Sequence, residues 1–375
     1  MLALRSDGGS VGRAPRLPTV RSDGVAGYLF QDRDGDGTQD PDEPVLGGRT
    51  VEVFGTGPLP LGSATTDASG RFVFRKLTVA GRSVQVRTPP VMEGPAVADL
   101  PDKTRLLFAA TISLGRSDAV AVPSYRWCPS VDDCPGLEPP DLAPTFESVA
   151  ADEYPPSTEW ALDRTSEPGR ILLRVATSVA NRGGLLHVVG RPPADGAEER
   201  QVVQRVYGDG VEHTLEVGSF VHHPEHEHVH MADFVELRLR STATGKVVAR
   251  SDKLSFCLTD VQPIAPPDPE PPVTLDLPPF ECGADEQGIN RGWADYYGRE
   301  LPGQSIDVTG LPSGGYVVEI EADPQELMLD ADRSNNQASF PVVLDLTGRT
   351  VVVVGPGMVG RRKAELEGTV ALAKA

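Results

Sequence analysis

The sequence predicts a mostly β protein: a small N-terminal β-sandwich followed by a larger β-rich domain with long loops. Two observations predict it. The 375 residues include 39 Gly and 35 Pro, which favour turns over long helices. Short segments also alternate apolar and polar side chains with the period of two that a half-buried strand requires.

Along the chain, residues 1–22 are polar and rich in Gly and Arg, and are expected to be disordered. The first domain is placed at residues 23–90. There Thr50–Phe54, Arg71–Arg75 and Val84–Arg87 alternate between Gly- and Pro-containing turns, and no helical periodicity competes with them. The pattern weakens over 91–138, which is read as a linker with short strands. The second domain is placed at 139–346, with strand candidates Ile171–Val179, Gly218–His230, Phe234–Arg240 and Tyr316–Ile320. The Pro-rich stretch VQPIAPPDPEPPVTLDLPP interrupts it as a connection. The C-terminal tail, 347–375, is expected to hold a last strand and a short helix. Its Gly355-Pro-Gly357-Met-Val-Gly360 fits G-x-G-x-x-G, but too few residues follow to complete a βαβ unit.

Charge narrows the function. Lys and Arg number 35 against 54 Asp and Glu, a net charge of -19, so the summed field repels phosphate backbones and nucleic acid is not an expected partner. No apolar run reaches the roughly 18 residues a membrane-spanning helix needs. The first twenty residues lack the apolar core of a secretory signal, so the sequence does not itself demonstrate export. The four cysteines suit two disulfides in an oxidising compartment, Cys128 with Cys134 and Cys257 with Cys282, with buried free thiols as the alternative.

Two constellations point to metals. Asp32-Arg-Asp34-Gly-Asp36-Gly37, with Glu43 downstream, follows the D-x-D-x-D-G pattern that gathers oxygen ligands around a hard cation and uses Gly at the sharp turn. Neither flank has helical periodicity, and Pro41 and Pro44 disfavour an exiting helix. A structural calcium held by Asp32, Asp34, Asp36 and Glu43 is therefore expected without an EF-hand; a solvated acidic turn is the alternative. Five of the seven histidines lie in His222-His223-Pro-Glu-His226-Glu-His228-Val-His230. On one strand, His226, His228 and His230 would share a face. Three neutral imidazoles suit copper or zinc. An exposed polar sheet edge is the bland alternative.

Resemblances extend these readings. The run GYLFQDRDGDGTQDPDEPVLGGRTVEVFG, with TTDASGRFVFRKL, resembles the B-type repeat domains of bacterial surface adhesins and related transthyretin-like modules. The histidine run, Asp252-Lys253-Leu-Ser-Phe-Cys257-Leu-Thr-Asp260 and Gln287-Gly-Ile-Asn-Arg-Gly-Trp-Ala-Asp295-Tyr-Tyr297 resemble, in order and spacing, segments of the lysyl oxidase family. The resemblance implies that His226, His228 and His230 are copper ligands and that Lys253 and Tyr297 are catalytic, as the precursors of a lysine tyrosylquinone. It implies a second calcium site from Asp141, the carbonyl of Leu142, Asp330, Asp332, Asn335 and Asn336. The implied activity is copper-dependent oxidation of primary amines, peptidyl lysine or small amines, by dioxygen, giving aldehyde, ammonia and hydrogen peroxide, in a secreted or cell-surface setting. His223, Asp233 and Asp295 are the candidates for the base that removes the substrate α-proton.

The departures are Glu225 where the family has a cysteine, Phe220 or Val221 for the preceding tryptophan, and Trp293 for another cysteine. These leave Cys257 and Cys282 to pair with each other. The rival reading is a non-catalytic extracellular module that binds metal at the cell surface. A zinc hydrolase is disfavoured, because its motif needs a catalytic helix and the histidine run is read on a strand.

Overall fold

The computed structural model describes residues 15–17, 19–56, 59–93, 108–146, 160–193, 199–208, 210–223, 228–251, 255–264, 280–347 and 350–353. These fall into two compact units. The first is drawn from 1–98, 103–136 and 209–213, the second from 99–102, 137–208 and 214–375. Both are built of strands, as the turn-rich, alternating sequence predicts. No helix among the described residues is long and apolar enough to cross a membrane.

In the first unit the strands are β1 (Val25–Asp32), β2 (Thr50–Phe54), β3 (Pro60–Thr65), β4 (Arg71–Phe74), β5 (Ser83–Thr88), β6 (Val91–Glu93), β7 (Phe108–Ser113) and β8 (Ser117–Trp127). One sheet runs β4, β1, β8, with β6 also on β8; the other runs β3, β2, β5, β7. Strand β1 is buried at all eight positions. It lies between an antiparallel β4 and a parallel β8, which is why its sequence carries a continuous apolar stretch rather than an alternation. Val25 and Leu29, Val51 and Val53, and Val84 and Val86 meet in one apolar cluster between the sheets. Segment 91–138, expected as a linker with short strands, supplies β6, β7 and β8. Strand β7 pairs along β5 and β8 along β1, partners that local patterning does not reveal.

The second unit begins with β9 (Leu142–Thr145), β10 (Trp160–Asp163), β11 (Leu172–Val175), β12 (Thr177–Asn181), β13 (Leu186–Gly190), β14 (Arg200–Gly208), β15 (Val211–His223) and β16 (His228–Met231). It continues with β17 (Val235–Ser241), β18 (Val247–Arg250), β19 (Gln262–Pro263), β20 (Glu286–Ile289), β21 (Trp293–Tyr297), β22 (Ser305–Asp307), β23 (Gly314–Ala322), β24 (Gln337–Asp345) and β25 (Thr350–Val353). Strands β20, β13, β14 and β15 form one sheet, with β16 on β15; β19, β21, β12 and β9 form a second. The order β18, β17, β23, β24, β25 forms a third and β10, β11, β22 a fourth. Their inner faces share one core. In it Phe146 meets Trp160 at 5.2 Å and the edge of Phe340 at 5.4 Å, aromatic burial of the kind that dominates core energetics.

Two strand expectations are corrected. Ile171–Val179 is two strands that break at Ala176 and enter different sheets. Gly218–His230 is a hairpin, in which His223 pairs with His228, His222 with Val229 and Val221 with His230. Pro224 follows the last residue of β15, and a proline has no N–H to continue a ladder. The single strand expected over Gly218–His230 is therefore two; His226 lies outside the described residues, while His228 and His230 keep the two-residue spacing on β16. The expected C-terminal helix lies outside the described residues. Both expected disulfides are formed, Cys128 with Cys134 and Cys257 with Cys282.

Candidate metal and tyrosine site

Strand β16 aims two imidazoles at one point. The Nε2 atoms of His228 and His230 lie 2.9 Å apart, and the ring centroids 4.8 Å apart. His230 is fully buried, and its other ring nitrogen, Nδ1, lies 3.3 Å from the Ser255 hydroxyl. A partner on Nδ1 fixes ring orientation and leaves Nε2 for a ligand, as metal-binding histidines require. Two converging imidazole nitrogens fit a borderline cation such as copper. His226 and Lys253 lie outside the described residues, as does the side chain of His223.

The segment carrying Ser255 connects this pair to the tyrosine. Met231, next to His230, exchanges both backbone bonds with Phe256 (2.7 and 3.1 Å). The Phe256 ring meets the Tyr297 ring edge-on at 4.3 Å. One residue further, the Tyr297 hydroxyl accepts from the Cys257 backbone N–H at 2.7 Å and donates to the Cys257 carbonyl at 3.1 Å. Cys257 is itself fixed by its disulfide to Cys282. Burial, then the charge of Asp295, pushes the Tyr297 phenol well above the usual tyrosine range, against the opposing Cys257 N–H. The phenol is thus held neutral. Of the base candidates, Asp295 is buried two residues from Tyr297 on β21. Asp233 has a left-handed backbone (φ 53°) and accepts from Gln325 at 2.8 Å.

The six residues expected around a second cation do meet. Asn335 donates to Asp141 at 2.6 Å, and the Leu142 N–H donates to Asp330 at 3.2 Å. The Asn336 amide nitrogen, in the orientation its neighbours favour, donates to the carbonyl oxygens of Leu142 and Asp332, each at 3.2 Å. Carboxylate and carbonyl oxygens gathered here are the donor types that a hard cation takes. Burial raises the Asp330 carboxyl, with the charge of Asp141 adding to it, although the N–H groups of Asp332 and Leu142 and the Asn336 amide oppose the shift. A signal that local motif reading missed lies beside this cluster: buried Gln204 grips Leu329 through both its N–H (2.8 Å) and its carbonyl (3.0 Å). Ser255 was missed too, since a lone serine carries no pattern.

In the first unit, Asp32, Asp34 and Asp36 bring carboxylate oxygens within 4.8 Å of one another. Asp32 also accepts from the N–H of Gly35 at 2.8 Å and Gly37 at 3.1 Å, both at positive φ where glycine alone is unstrained. Glu43 stands apart from that trio. It is buried and accepts from the N–H groups of Arg33 (2.6 Å) and Asp40 (3.0 Å), closing the loop.

Comparison with known proteins bears on the second unit. The sequence profile of the lysyl oxidase family matches residues 205–355. That stretch, about two fifths of the chain, is similar to the lysyl oxidase family. The matched segment holds the histidine hairpin, the positions of Lys253 and Tyr297, and Asp330 to Asn336. Lysyl oxidase homolog 1 of Homo sapiens is 30% identical over 184 residues, 48% of this chain and 26% of that protein. Protein-lysine 6-oxidase of Sus scrofa is 27% identical over 184 residues, 48% of this chain and 59% of that protein. The Homo sapiens protein-lysine 6-oxidase is 27% identical over the same length, 36% of its own. The chain thus spans less than two thirds of each of these relatives. The lysyl oxidase segment includes both β15–β16 and β21, the strands that carry the converging imidazoles and the anchored phenol.

Proposed function

We propose that this protein is a copper-dependent primary amine oxidase of lysyl oxidase type, in which His226, His228 and His230 hold copper and Lys253 and Tyr297 are the precursors of a lysine tyrosylquinone. The observation that carries the proposal is the approach of His228 Nε2 and His230 Nε2 to 2.9 Å within the family segment. Once formed, the quinone supplies the carbonyl that takes up a primary amine and the acceptor for its two electrons. The net reaction converts a primary amine, water and dioxygen into aldehyde, ammonia and hydrogen peroxide.

The residues on hand prepare for this chemistry in definite ways. Ser255 orients His230 so that Nε2 is presented to the metal. The backbone of Cys257 holds the Tyr297 oxygen, four residues from Lys253 in sequence, and the disulfide limits its movement. Asp295 is the base we assign for substrate proton removal, because it is buried on the tyrosine's own strand while Asp233 is exposed and occupied by Gln325. A net charge of -19 favours the approach of cationic amines, with peptidyl lysine the substrate class that the relatives' name suggests. Calcium is proposed at Asp141, Leu142, Asp330, Asp332, Asn335 and Asn336, tying the ends of the domain together. A second calcium is proposed at Asp32, Asp34 and Asp36, with Glu43 closing the loop rather than ligating. Two disulfides suit a secreted or cell-surface protein, with the adhesin-like first unit as a tether.

The test is peptide mass spectrometry of protein matured with copper in air. A covalent link between the Lys253 and Tyr297 peptides, absent from Tyr297→Phe, is expected. Copper bound with the two peptides separate would withdraw the oxidase reading in favour of a non-catalytic metal-binding module.

A further inference from the structure

Among the described residues, the histidine strand and the tyrosine-anchoring segment make one direct pair of backbone bonds, at Met231 and Phe256. In an antiparallel pair the next hydrogen-bonded rung falls two residues back on one strand and two residues on along the other. Here that rung would join Val229 to Leu258. A side chain fills it instead. Gln287 Oε1 accepts from the Leu258 N–H at 3.0 Å, and Gln287 Nε2 donates to the Val229 carbonyl at 2.7 Å. The same nitrogen donates to the Gly283 carbonyl at 3.0 Å, beside Cys282 of the disulfide. The Leu258 carbonyl accepts from Gly288 N–H at 3.0 Å, so both of its backbone groups are bound to the Gln287-Gly288 pair.

We infer that Gln287 is a positioning residue, whose amide stands in for a ladder rung and so sets the spacing between the strand that carries His228 and His230 and the segment that anchors Tyr297. The register places His230 opposite Cys257, between the direct rung and the amide rung. Interposing a whole amide where two strands would otherwise touch wedges them apart at Val229, the residue between the two histidines. Gln287 is fully buried and makes three of the four bonds its amide can make, so it has little freedom to yield. Its own backbone is fixed by pairing with Val188. At the adjoining Gly288 an added Cβ would lie 2.3 Å from the Leu186 carbonyl oxygen, so β20 approaches β13 too closely there for any side chain.

This inference rests on the proposed copper ligation, and the experiment separates the two. Full-length protein is stripped of metal and loaded with one equivalent of Cu(II). Electron paramagnetic resonance and titration calorimetry are then recorded for wild type, His228→Ala, Gln287→Met, Gln287→Asn and Gln304→Met. Gln304 is a buried amide that bonds Thr177 and serves as the control for simple destabilisation. Gln287→Met is expected to weaken copper binding about tenfold or more and to change the copper spectrum. Gln287→Asn, too short to reach all three partners, should show an intermediate change, and Gln304→Met should lower the melting temperature without altering the spectrum. Wild-type affinity and spectrum in folded Gln287→Met overturn the inference. Should that variant not fold, the same result in Gln287→Asn does so. A wild type whose copper signal lacks imidazole nitrogen, or is indifferent to His228→Ala, overturns the ligation itself and the inference with it.

Discussion

Replacing Tyr297 by Phe isolates a single oxygen whose work the structure defines. The ring remains and keeps its edge contact with Phe256, so the vacated space is no larger than a hydroxyl. What is lost is one acceptor for the Cys257 N–H at 2.7 Å and one donor to its carbonyl at 3.1 Å, both in a buried setting. A buried backbone group deprived of its partner costs about 1–3 kcal/mol. Taking about 2 kcal/mol for the pair, and 2–4 °C per kcal/mol for a unit of this size, the melting temperature of metal-free protein should fall by about 4–8 °C. Urea unfolding followed by near-ultraviolet circular dichroism measures the difference directly. A raised phenol contributes stability that is fully present below the ordinary tyrosine value of about 10 and is lost as pH rises through the higher folded value. The gap between wild type and Tyr297→Phe should therefore narrow only at strongly alkaline pH. A difference at neutral pH below about 0.5 kcal/mol, the range of an indifferent surface change, would refute the anchoring role.

Three further outcomes are expected. Asp163 is half-buried, which by itself would raise its carboxyl, but the Ser166 and Thr165 bonds hold it well below the usual carboxylate range, with Arg174 3.1 Å away. Its contribution is present above pH about 4 and lost as pH falls through the lowered value; Asp163→Asn should therefore destabilise the protein at pH 7 and converge with wild type in acid melts. The Cys257–Cys282 disulfide closes a loop of sequence separation 25, so a double change to serine should cost about 3 kcal/mol in chemical unfolding. In the first unit, calcium should raise the melting temperature of wild type but not of Asp34→Ala, and calorimetry showing equal calcium binding by both would remove Asp34 from the site.

Much of the fold was legible locally. Thr50–Phe54 is a strand at the bounds its alternation gives, and the Arg71, Val84 and Tyr316 segments are strands with ends shifted by a few residues. Strand β1 escaped notice because burial on both faces erases alternation. The histidine cluster was legible as chemistry but not as geometry. Read as one strand, it aligned three imidazoles; folded as a hairpin, it keeps His228 and His230 together on β16. The six residues read as a second cation site were found together, although Asp141 and Asn335 are separated by 194 positions, because β9 packs against the turn at Arg333–Asn335.

The sequence by itself determined that the chain is built of strands and where its imidazole, carboxylate and phenol groups cluster, since composition, period and residue type are properties of neighbours along the chain. Tertiary structure alone decided that Ser255 orients His230, that Cys257 anchors Tyr297 and that the Gln287 amide occupies a missing rung. The reason is physical: a strand's partner is fixed by backbone hydrogen bonds and burial between segments far apart in sequence, and no local pattern of side chains records which segment that will be.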